Sequence, residues 1–336
     1  MKTIFSLSLF FLLVWGIIAS PIPKSKKNPS PKEIQKQYKN NRILIPVFGL
    51  QLHLFADEKS DVLRKLKFGE LVFYDPSSLE SPNSEWIPVK LQDGLSGFLK
   101  RSLVNLVPES QFHKSFVIEA EKQLNSKYTD HHHKMEIADS IFYLSQDGRY
   151  TGDEFIYLRA KAGFALKKVV DSLSEGSIKP DSDPHTLEFL KKHQSKLLYD
   201  YASGHYFMDS NYFWKLIESY PVTKHSDYAG YLATETIPKI DCKADLKCQL
   251  ENLRKGKMRY IYLFPTGNYV TRYTKSIVTE LKKITEDPDS IPCFQPISEV
   301  IKSEITIMGS YLSEYRIREK KLILPFVDIL KKECLK

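Results

Sequence analysis

Four cysteines, Cys242, Cys248, Cys293 and Cys334, carry the clearest chemical signal in the chain. An even number of cysteines in an exported protein is typical of disulfides. Cys242 and Cys248 would lie about 9 Å apart along a continuous helix, whereas a disulfide needs Cα atoms within about 7 Å. A bridge between them therefore predicts a loop. Cys293 and Cys334 flank the last two predicted helices, and we predict that they join them, although four cysteines allow three pairings.

A run of three histidines, His131–His133, is the second group that could do chemistry. Consecutive residues of a helix point in different directions, so the run does not build a site by itself. With His113 or Glu136 a metal pair is one interpretation, because His132 and Glu136 are four residues apart. The interpretation we favour is a polar turn between helices. The cysteines lack the close pairs or histidine partners of a zinc site. We predict no metal site.

The segment Ser145–Phe155 partly resembles a calcium-binding helix–loop–helix, with Gly148 at the position of the sharp turn. Tyr143 would occupy the first ligand position, where it cannot supply a carboxylate. We therefore predict an ordinary turn between two helices. The chain has no Gly-x-Ser-x-Gly elbow, phosphate loop, dinucleotide fingerprint or His-Glu-x-x-His motif. The absence of these motifs removes the common enzyme classes but does not exclude an enzyme. We predict a non-catalytic protein with no catalytic residue and no cofactor.

The elements that position these residues fall into two parts. Short runs with alternating apolar residues and Gly, Pro or Asp turns extend from Arg42 to Val107, which is typical of a small all-β barrel. Leu50, Leu52 and Leu54 alternate along one such run. Asp93-Gly94 predicts a hairpin turn, because glycine adopts the positive φ that tight turns require.

Four motifs in this region resemble the bacterial SH3-like (SH3b) domain family. They are Leu52-His53-Leu54-Phe55, Leu66-Lys67-Phe68-Gly69-Glu70, Trp86-Ile87-Pro88-Val89 and Asp93-Gly94-Leu95-Ser96-Gly97-Phe98-Leu99. The sequence departs from the family pattern where Phe55 replaces the arginine of the first strand and Ala56-Asp57 replaces Gly-Pro. The resemblance covers about a fifth of the chain and implies an SH3-like β-barrel over residues 42–107.

The family resemblance implies a non-catalytic module that binds a cell-wall peptide (peptidoglycan) or an envelope protein. The candidate binding residues are aromatic or lie near the departing loop, and they are His53, Phe55, Tyr74, Trp86 and Phe98. For Trp86 and Phe98 the alternative is a structural role in the barrel core, which the family gives to aromatic residues at those positions.

From Pro108 onward the apolar pattern changes to the helical period, which predicts an all-helical second domain over residues 108–336. Phe112, Phe116, Ala120 and Leu124 share one face, and a second stripe runs from Leu158 to Leu173. Two aromatic helix–turn–helix segments, beginning near Tyr212 and Tyr260, faintly resemble tetratricopeptide repeats. The fold class predicted is thus multidomain, all-β plus all-α, and the helices form either a bundle or an array of helical hairpins.

The first residues predict export. Lys2 precedes an apolar run from Ile4 to Ile18, which is the length of a signal-peptide core, and cleavage is expected after Ala19. The alternative is a retained N-terminal anchor. Residues 20–41 form a predicted Pro/Lys-rich linker.

Lys2 and this linker carry six of the eight net positive charges. The basic character of the chain therefore gives no evidence for binding nucleic acid. Contact of the linker with a membrane surface is a further interpretation.

The function predicted from these features is an exported binding or scaffold protein of the bacterial envelope, located in the periplasm or on the cell surface. One alternative is a cell-wall hydrolase whose helical region is catalytic. Another is an envelope interaction protein whose barrel has a purely structural role.

Overall fold

The computed structural model of the chain describes residues 41–46, 48–74, 84–179, 183–201, 203–220, 223–237, 242, 245–286, 291, 293 and 299–335. The predicted signal peptide, residues 1–19, and all of the predicted linker except Asn41 lie outside these residues. Antiparallel β structure comes first in the described chain and helices make up most of the remainder, so this part of the fold prediction is confirmed. None of the helices in the described ranges has the length and apolar character needed to cross a membrane.

Seven strands form one antiparallel sheet in the spatial order β3-β2-β6-β5-β4-β1-β7. The strands are β1 (Asn41–Leu44), β2 (Leu50–His53), β3 (Val62–Leu66), β4 (Val72–Tyr74), β5 (Trp86–Leu91), β6 (Ser96–Lys100) and β7 (Asn105–Pro108). Strands β3 and β7 stand at the two ends of this order. Closure of the sheet into an SH3-like barrel therefore stays a prediction.

The alternation of apolar residues accounts for the register of the sheet. In β5, Ile87, Val89 and Leu91 are buried, while the residues between them are half-buried. A two-residue side-chain period places one set inside and the other outside. The predicted hairpin between β5 and β6 turns at Gly94, whose φ is +96°.

Eleven α-helices follow in the described chain. They are α1 (Phe112–Asn125), α2 (His131–Ser145), α3 (Gly152–Glu175), α4 (Pro184–His193), α5 (Ser210–Ser219), α6 (Ser226–Glu235), α7 (Leu246–Leu253), α8 (Arg259–Leu263), α9 (Val270–Thr285), α10 (Glu299–Glu314) and α11 (Lys320–Cys334). A π-helical segment, Arg254–Met258, joins α7 to α8. Both segments that resemble tetratricopeptide repeats are helix–turn–helix units, α5–α6 and α8–α9. The choice between a bundle and a hairpin array stays a prediction.

The helical period of the apolar residues predicts a helical stretch from Pro184 to Tyr201, and this prediction is wrong for its second half. Helix α4 ends at His193, and a two-stranded hairpin follows, formed by β8 (Leu197–Asp200) and β9 (His205–Met208). Gly204 has a φ of +71°, a conformation that glycine adopts at little cost and that ends a tight turn. Strand β9 packs on α3. The region after Pro108 is therefore mostly helical rather than all-helical.

Helix α3 lies at the centre of the helical part, in contact with α1, α2, α5 and α6. Every residue of its predicted stripe is buried: Leu158, Ala162, Ala165, Leu166, Val169 and Leu173. The hydrophobic core that surrounds α3 also contains three residues of the sheet region, Leu44, Phe68 and Val107. A second, smaller core lies within the sheet itself.

Both predicted disulfides are present. Cys242 and Cys248 have Cα atoms 5.5 Å apart, and Cys293 and Cys334 have Cα atoms 5.2 Å apart. As the spacing argument requires, Cys242 lies before α7 while Cys248 lies within it. Cys334 is fully buried at the end of α11, so the second disulfide ties residue 293, which precedes α10, to the end of the last helix.

Candidate functional site

A cleft of about 900 Å³ lies between the sheet and the helices. The turn from β3 to β4 forms one wall, and α1 and α2 form the other. The lining combines basic, acidic, histidine and aromatic side chains, among them Arg64, Lys67, Phe68, Phe116, His132, Glu136, Asp139, Tyr143, His185 and Lys192. Its volume lies within the roughly 300–1,000 Å³ that small-ligand sites occupy.

The wall from the sheet is held in place by the backbone of Phe68. The amide nitrogen of Phe68 donates to Glu136 Oε1 at 2.7 Å, and its carbonyl oxygen accepts from Ser140 Oγ at 3.0 Å. Both partners belong to α2. The ring of Phe68 packs on Phe116 of α1, with ring centroids 5.5 Å apart. The turn is therefore fixed to both helices before any ligand binds.

Asp139 makes two charged contacts in the helical wall. Its carboxylate accepts from His193 Nε2 and pairs with Lys192 Nζ, each at 2.8 Å. Burial raises the pKa of Asp139, but the hydrogen bonds from His193 and Lys192 outweigh burial and hold the pKa below its ordinary value. Asp139 is therefore a charged carboxylate at neutral pH, and it joins α2 to α4.

On the opposite wall, Arg64 pairs with Glu70 and, through Nη1 at 2.6 Å, with Asp93. The cleft thus presents cations and anions on both walls, and most of them are already paired. Such a surface suits a ligand that carries both charges and hydrogen-bonding groups.

The three consecutive histidines separate at the start of α2. His133 turns toward Phe48, with ring centroids 4.0 Å apart, and its Nδ1 lies 2.8 Å from Asp130 Oδ2. His131 and His132 point elsewhere, with their own ring centroids 4.1 Å apart. Glu136, the partner considered from sequence spacing, is instead bonded to Phe68. His113, the other residue considered, lies apart from this group, beside Glu154 and Tyr150.

The start of α4 meets His131 and His132. One ligand atom from each of His131, His132 and Asp183 lies within 4.8 Å of the others. His185 Nδ1 also lies 3.2 Å from His132 Nδ1. Burial, and then the neighbouring His132, lower the pKa of His131, which favours its neutral imidazole. This histidine cluster, His131, His132, Asp183 and His185, lies at the rim of the cleft.

Asp183 is positioned by its own helix. Its side chain caps α4 by accepting from Thr186 N at 2.9 Å and Thr186 Oγ1 at 2.6 Å. These hydrogen bonds lower the pKa of Asp183, so the carboxylate is charged at neutral pH. An Asp before Pro184 at the first helical position predicts a helix start in the sequence. Sequence spacing does not predict that this start meets α2, more than 50 residues earlier.

Among the predicted binding residues, the structure brings three together on the outer face of the sheet. His53 pairs in register with Phe98, and its ring lies edge-on to Trp86 with centroids 5.2 Å apart. Trp86 and Phe98 are half-buried there. Phe55 is 63% exposed just after β2, whereas Tyr74 is buried in the core of the sheet. The binding role of these residues stays a prediction.

The segment that partly resembles a calcium loop is a turn between α2 and α3. Arg149 Nε donates to Asp147 Oδ1 at 2.9 Å, and Arg149 Nη1 pairs with Glu109 at 2.6 Å. The guanidinium group of Arg149 thus occupies the carboxylate of Asp147, which a calcium ion in this loop would need as a ligand.

No protein-family model, no curated protein and no solved structure matches the chain.

Proposed function

We propose that this protein is an exported, non-catalytic binding protein of the bacterial envelope that binds a short peptide in the cleft between sheet and helices. The cell-wall peptide is the ligand that follows from the SH3b resemblance. The observation that carries the proposal is the cleft itself, because it is large enough for a few residues of peptide and is preformed by contacts between both parts of the chain.

The chemistry of the lining supports a peptide rather than an apolar ligand. Peptides carry both signs of charge together with backbone donors and acceptors, and the lining of the cleft contains Lys67, Glu136 and Asp139 beside the aromatic rings of Phe116 and Tyr143. Ligand sites commonly combine apolar walls with a few placed polar groups.

Two features support export. The N-terminal sequence has the charge and apolar run of a signal peptide. Two disulfides close within the described chain, which is compatible with an oxidising compartment.

The outer face of the sheet is the second candidate site for the same function. His53, Trp86 and Phe98 are grouped there, and Phe55 extends from the neighbouring turn. Aromatic side chains at a surface are frequent determinants of binding.

The test is a pull-down of the exported form, residues 20–336, on purified insoluble peptidoglycan. Tyr143→Ala and Lys67→Ala change exposed side chains of the cleft, and we expect each to weaken binding about tenfold. Tyr128→Ala is the matched control, because Tyr128 is 87% exposed and is not part of the cleft lining. Phe55→Ala and Phe98→Ala test the outer face.

Loss of binding in the cleft variants, with the control unchanged, would support the proposal. Loss only in Phe55→Ala and Phe98→Ala would move the site to the outer face. Release of soluble wall fragments by the unaltered protein would favour the hydrolase alternative. If neither the unaltered protein nor any variant is retained on the wall material, peptidoglycan is ruled out as the ligand, and an envelope protein is favoured as the partner.

A further inference from the structure

The arrangement of the histidine cluster points to a role other than peptide binding. Three different side chains from two helices place one nitrogen or oxygen each within 4.8 Å of the others, and these are His131, His132 and Asp183. A fourth side chain, His185, brings its Nδ1 to 3.2 Å from the Nδ1 of His132. The other histidines at this end of the helical part, His133 and His193, are each bonded to a different carboxylate.

These atom types are the ones that a transition metal binds, and the atoms are close enough to reach one metal after a small movement. Imidazole nitrogen and carboxylate oxygen are the usual ligands of Zn²⁺ together with thiolate, at about 2.0–2.2 Å from the metal. Ligand atoms at the corners of such a tetrahedron stand about 3.4 Å apart. The ligand atoms of His131, His132 and Asp183 lie within 4.8 Å of one another, so they need to approach by up to about 1.4 Å. His132 Nδ1 and His185 Nδ1 are 3.2 Å apart, a hydrogen-bond contact that coordination of both nitrogens by a metal would replace.

The surroundings favour order in the ligand set. Asp183 is held by two hydrogen bonds from Thr186, one to each of its oxygens. Outer partners of this kind fix the orientation of metal ligands. His131 and His132 lie in the first turn of α2, so their backbone is fixed by the helix.

We propose that His131, His132 and Asp183, with His185 as a fourth ligand, form a binding site for one divalent transition metal ion. Zn²⁺ fits this site best, because the ligands are three imidazole nitrogens and one carboxylate. The site joins the start of α2 to the start of α4 at the rim of the cleft. Two of its residues, His132 and His185, also line the cleft, but the metal proposal does not rest on peptide binding, and a separate experiment tests each proposal.

The test is isothermal titration calorimetry of the full chain, without an affinity tag and freed of metal by a chelator, with ZnCl₂. The expected result is one Zn²⁺ per chain. His132→Ala and Asp183→Asn are each expected to weaken the affinity tenfold or more. Asn is as good a helix cap as Asp, so Asp183→Asn removes the ligand charge and preserves α4.

Two further variants complete the design. His185→Ala tests the fourth ligand and is expected to weaken the affinity by about tenfold. His205→Ala is the matched control, because His205 is a half-buried histidine of β9 outside the cluster. The Zn²⁺ affinity of this variant is expected to stay within about twofold of that of the unaltered chain. Circular dichroism confirms that each variant is folded. Visible absorption of the Co²⁺ form gives a second readout that reports coordination by nitrogen and oxygen directly.

Absence of Zn²⁺ binding by the unaltered chain would overturn the proposal. Equal affinity in His132→Ala, Asp183→Asn and the unaltered chain would also overturn it, because the metal would then be bound elsewhere. Unchanged affinity in His185→Ala alone would overturn the assignment of the fourth ligand.

Discussion

At Gly69 the turn from β3 to β4 lies directly against the ring of Phe116. The φ of Gly69 is +68°, and a Cβ atom at this position would overlap the Phe116 ring. Two separate physical terms therefore require glycine here. One is the backbone conformation, and the other is the close approach of sheet and helix.

Gly49 allows these two terms to be separated. Its φ is +67°, nearly that of Gly69, but nothing lies within 4 Å of a Cβ built on it. Gly49→Ala should therefore cost only the backbone term, about 1–2 kcal/mol. Gly69→Ala should cost about 3 kcal/mol or more, because Phe116 must also move. Urea unfolding of both variants measures the difference, and equal losses would show that the contact with Phe116 is easily relieved.

At the scale of elements, helix α2 contacts both the sheet wall of the cleft and helix α4. It fixes the turn at Phe68 through Glu136 and Ser140, it carries His131 and His132, and it is joined to α4 by Asp139. His193 of α4 is almost fully buried and lies between Phe142 and Phe189, with each pair of ring centroids 4.7 Å apart. The contact from Asp139 to His193 therefore sets the position of α4 relative to α2.

This contact predicts a pH dependence of stability. The pKa of Asp139 is below its ordinary value in the folded chain, so its contribution is fully present above the pKa of an unfolded Asp, about 3.9. The contribution is lost as the pH falls through the lower, folded pKa. Asp139→Asn should therefore lower the urea midpoint at pH 7 and at pH 5, and the difference from the unaltered chain should shrink below about pH 4.

Asp171→Asn is the control for this prediction. Asp171 pairs with Lys167 four residues earlier at 2.6 Å, and its side chain is about as exposed as that of Asp139. Exposed pairs of this spacing contribute about 0.3–0.5 kcal/mol, so a small effect is expected at every pH. A difference between Asp139→Asn and the unaltered chain that stays constant down to pH 3 would contradict the assigned pKa direction.

The two disulfides should differ in their contribution to stability because they close loops of different length. The separations are 6 residues for Cys242–Cys248 and 41 residues for Cys293–Cys334. Loop-closure entropy gives about 2 kcal/mol for the first and about 4 kcal/mol for the second. The double variants Cys242→Ala/Cys248→Ala and Cys293→Ala/Cys334→Ala, compared by thermal unfolding, test this order. A larger loss in the first pair would contradict the entropic argument.

Elements with a strong period were predictable from the sequence, and contacts between distant elements were not. The stripe on α3, the alternation in β5 and the turn at Gly94 follow from local spacing. The hairpin of β8 and β9 was missed because the apolar residues near Leu197 fit a helix and a strand about equally well over so short a run. The histidine cluster was missed because His185 and His132 are 53 residues apart, and only the packing of α4 on α2 brings them together.

At the scale of the whole molecule, the sheet and the helices share one of the two cores. Leu44 and Phe68 of the sheet region and Phe116, Leu158 and many other helical residues belong to the same buried cluster. The sheet also has a core of its own, which includes Ile87 and Leu99. Whether the two parts unfold together therefore depends on whether the shared core contributes more to the free energy of unfolding of the sheet than the sheet's own core does.

We predict that they unfold together, because hydrogen bonds join the backbone of Phe68 to the side chains of Glu136 and Ser140, and because Phe68 is buried in the shared core. Leu166→Ala removes a fully buried side chain of α3, which should destabilise the helical part by about 3 kcal/mol. In a coupled molecule this variant should also speed hydrogen exchange of the slowest amides in β5 and β6, since those amides exchange through global unfolding. Tyr128→Ala, an exposed change on the helical side, should leave exchange in both parts unchanged. If Leu166→Ala speeds exchange in α2 and α3 but leaves β5 and β6 as they are, the sheet is an independent folding unit that stays folded while the helices unfold.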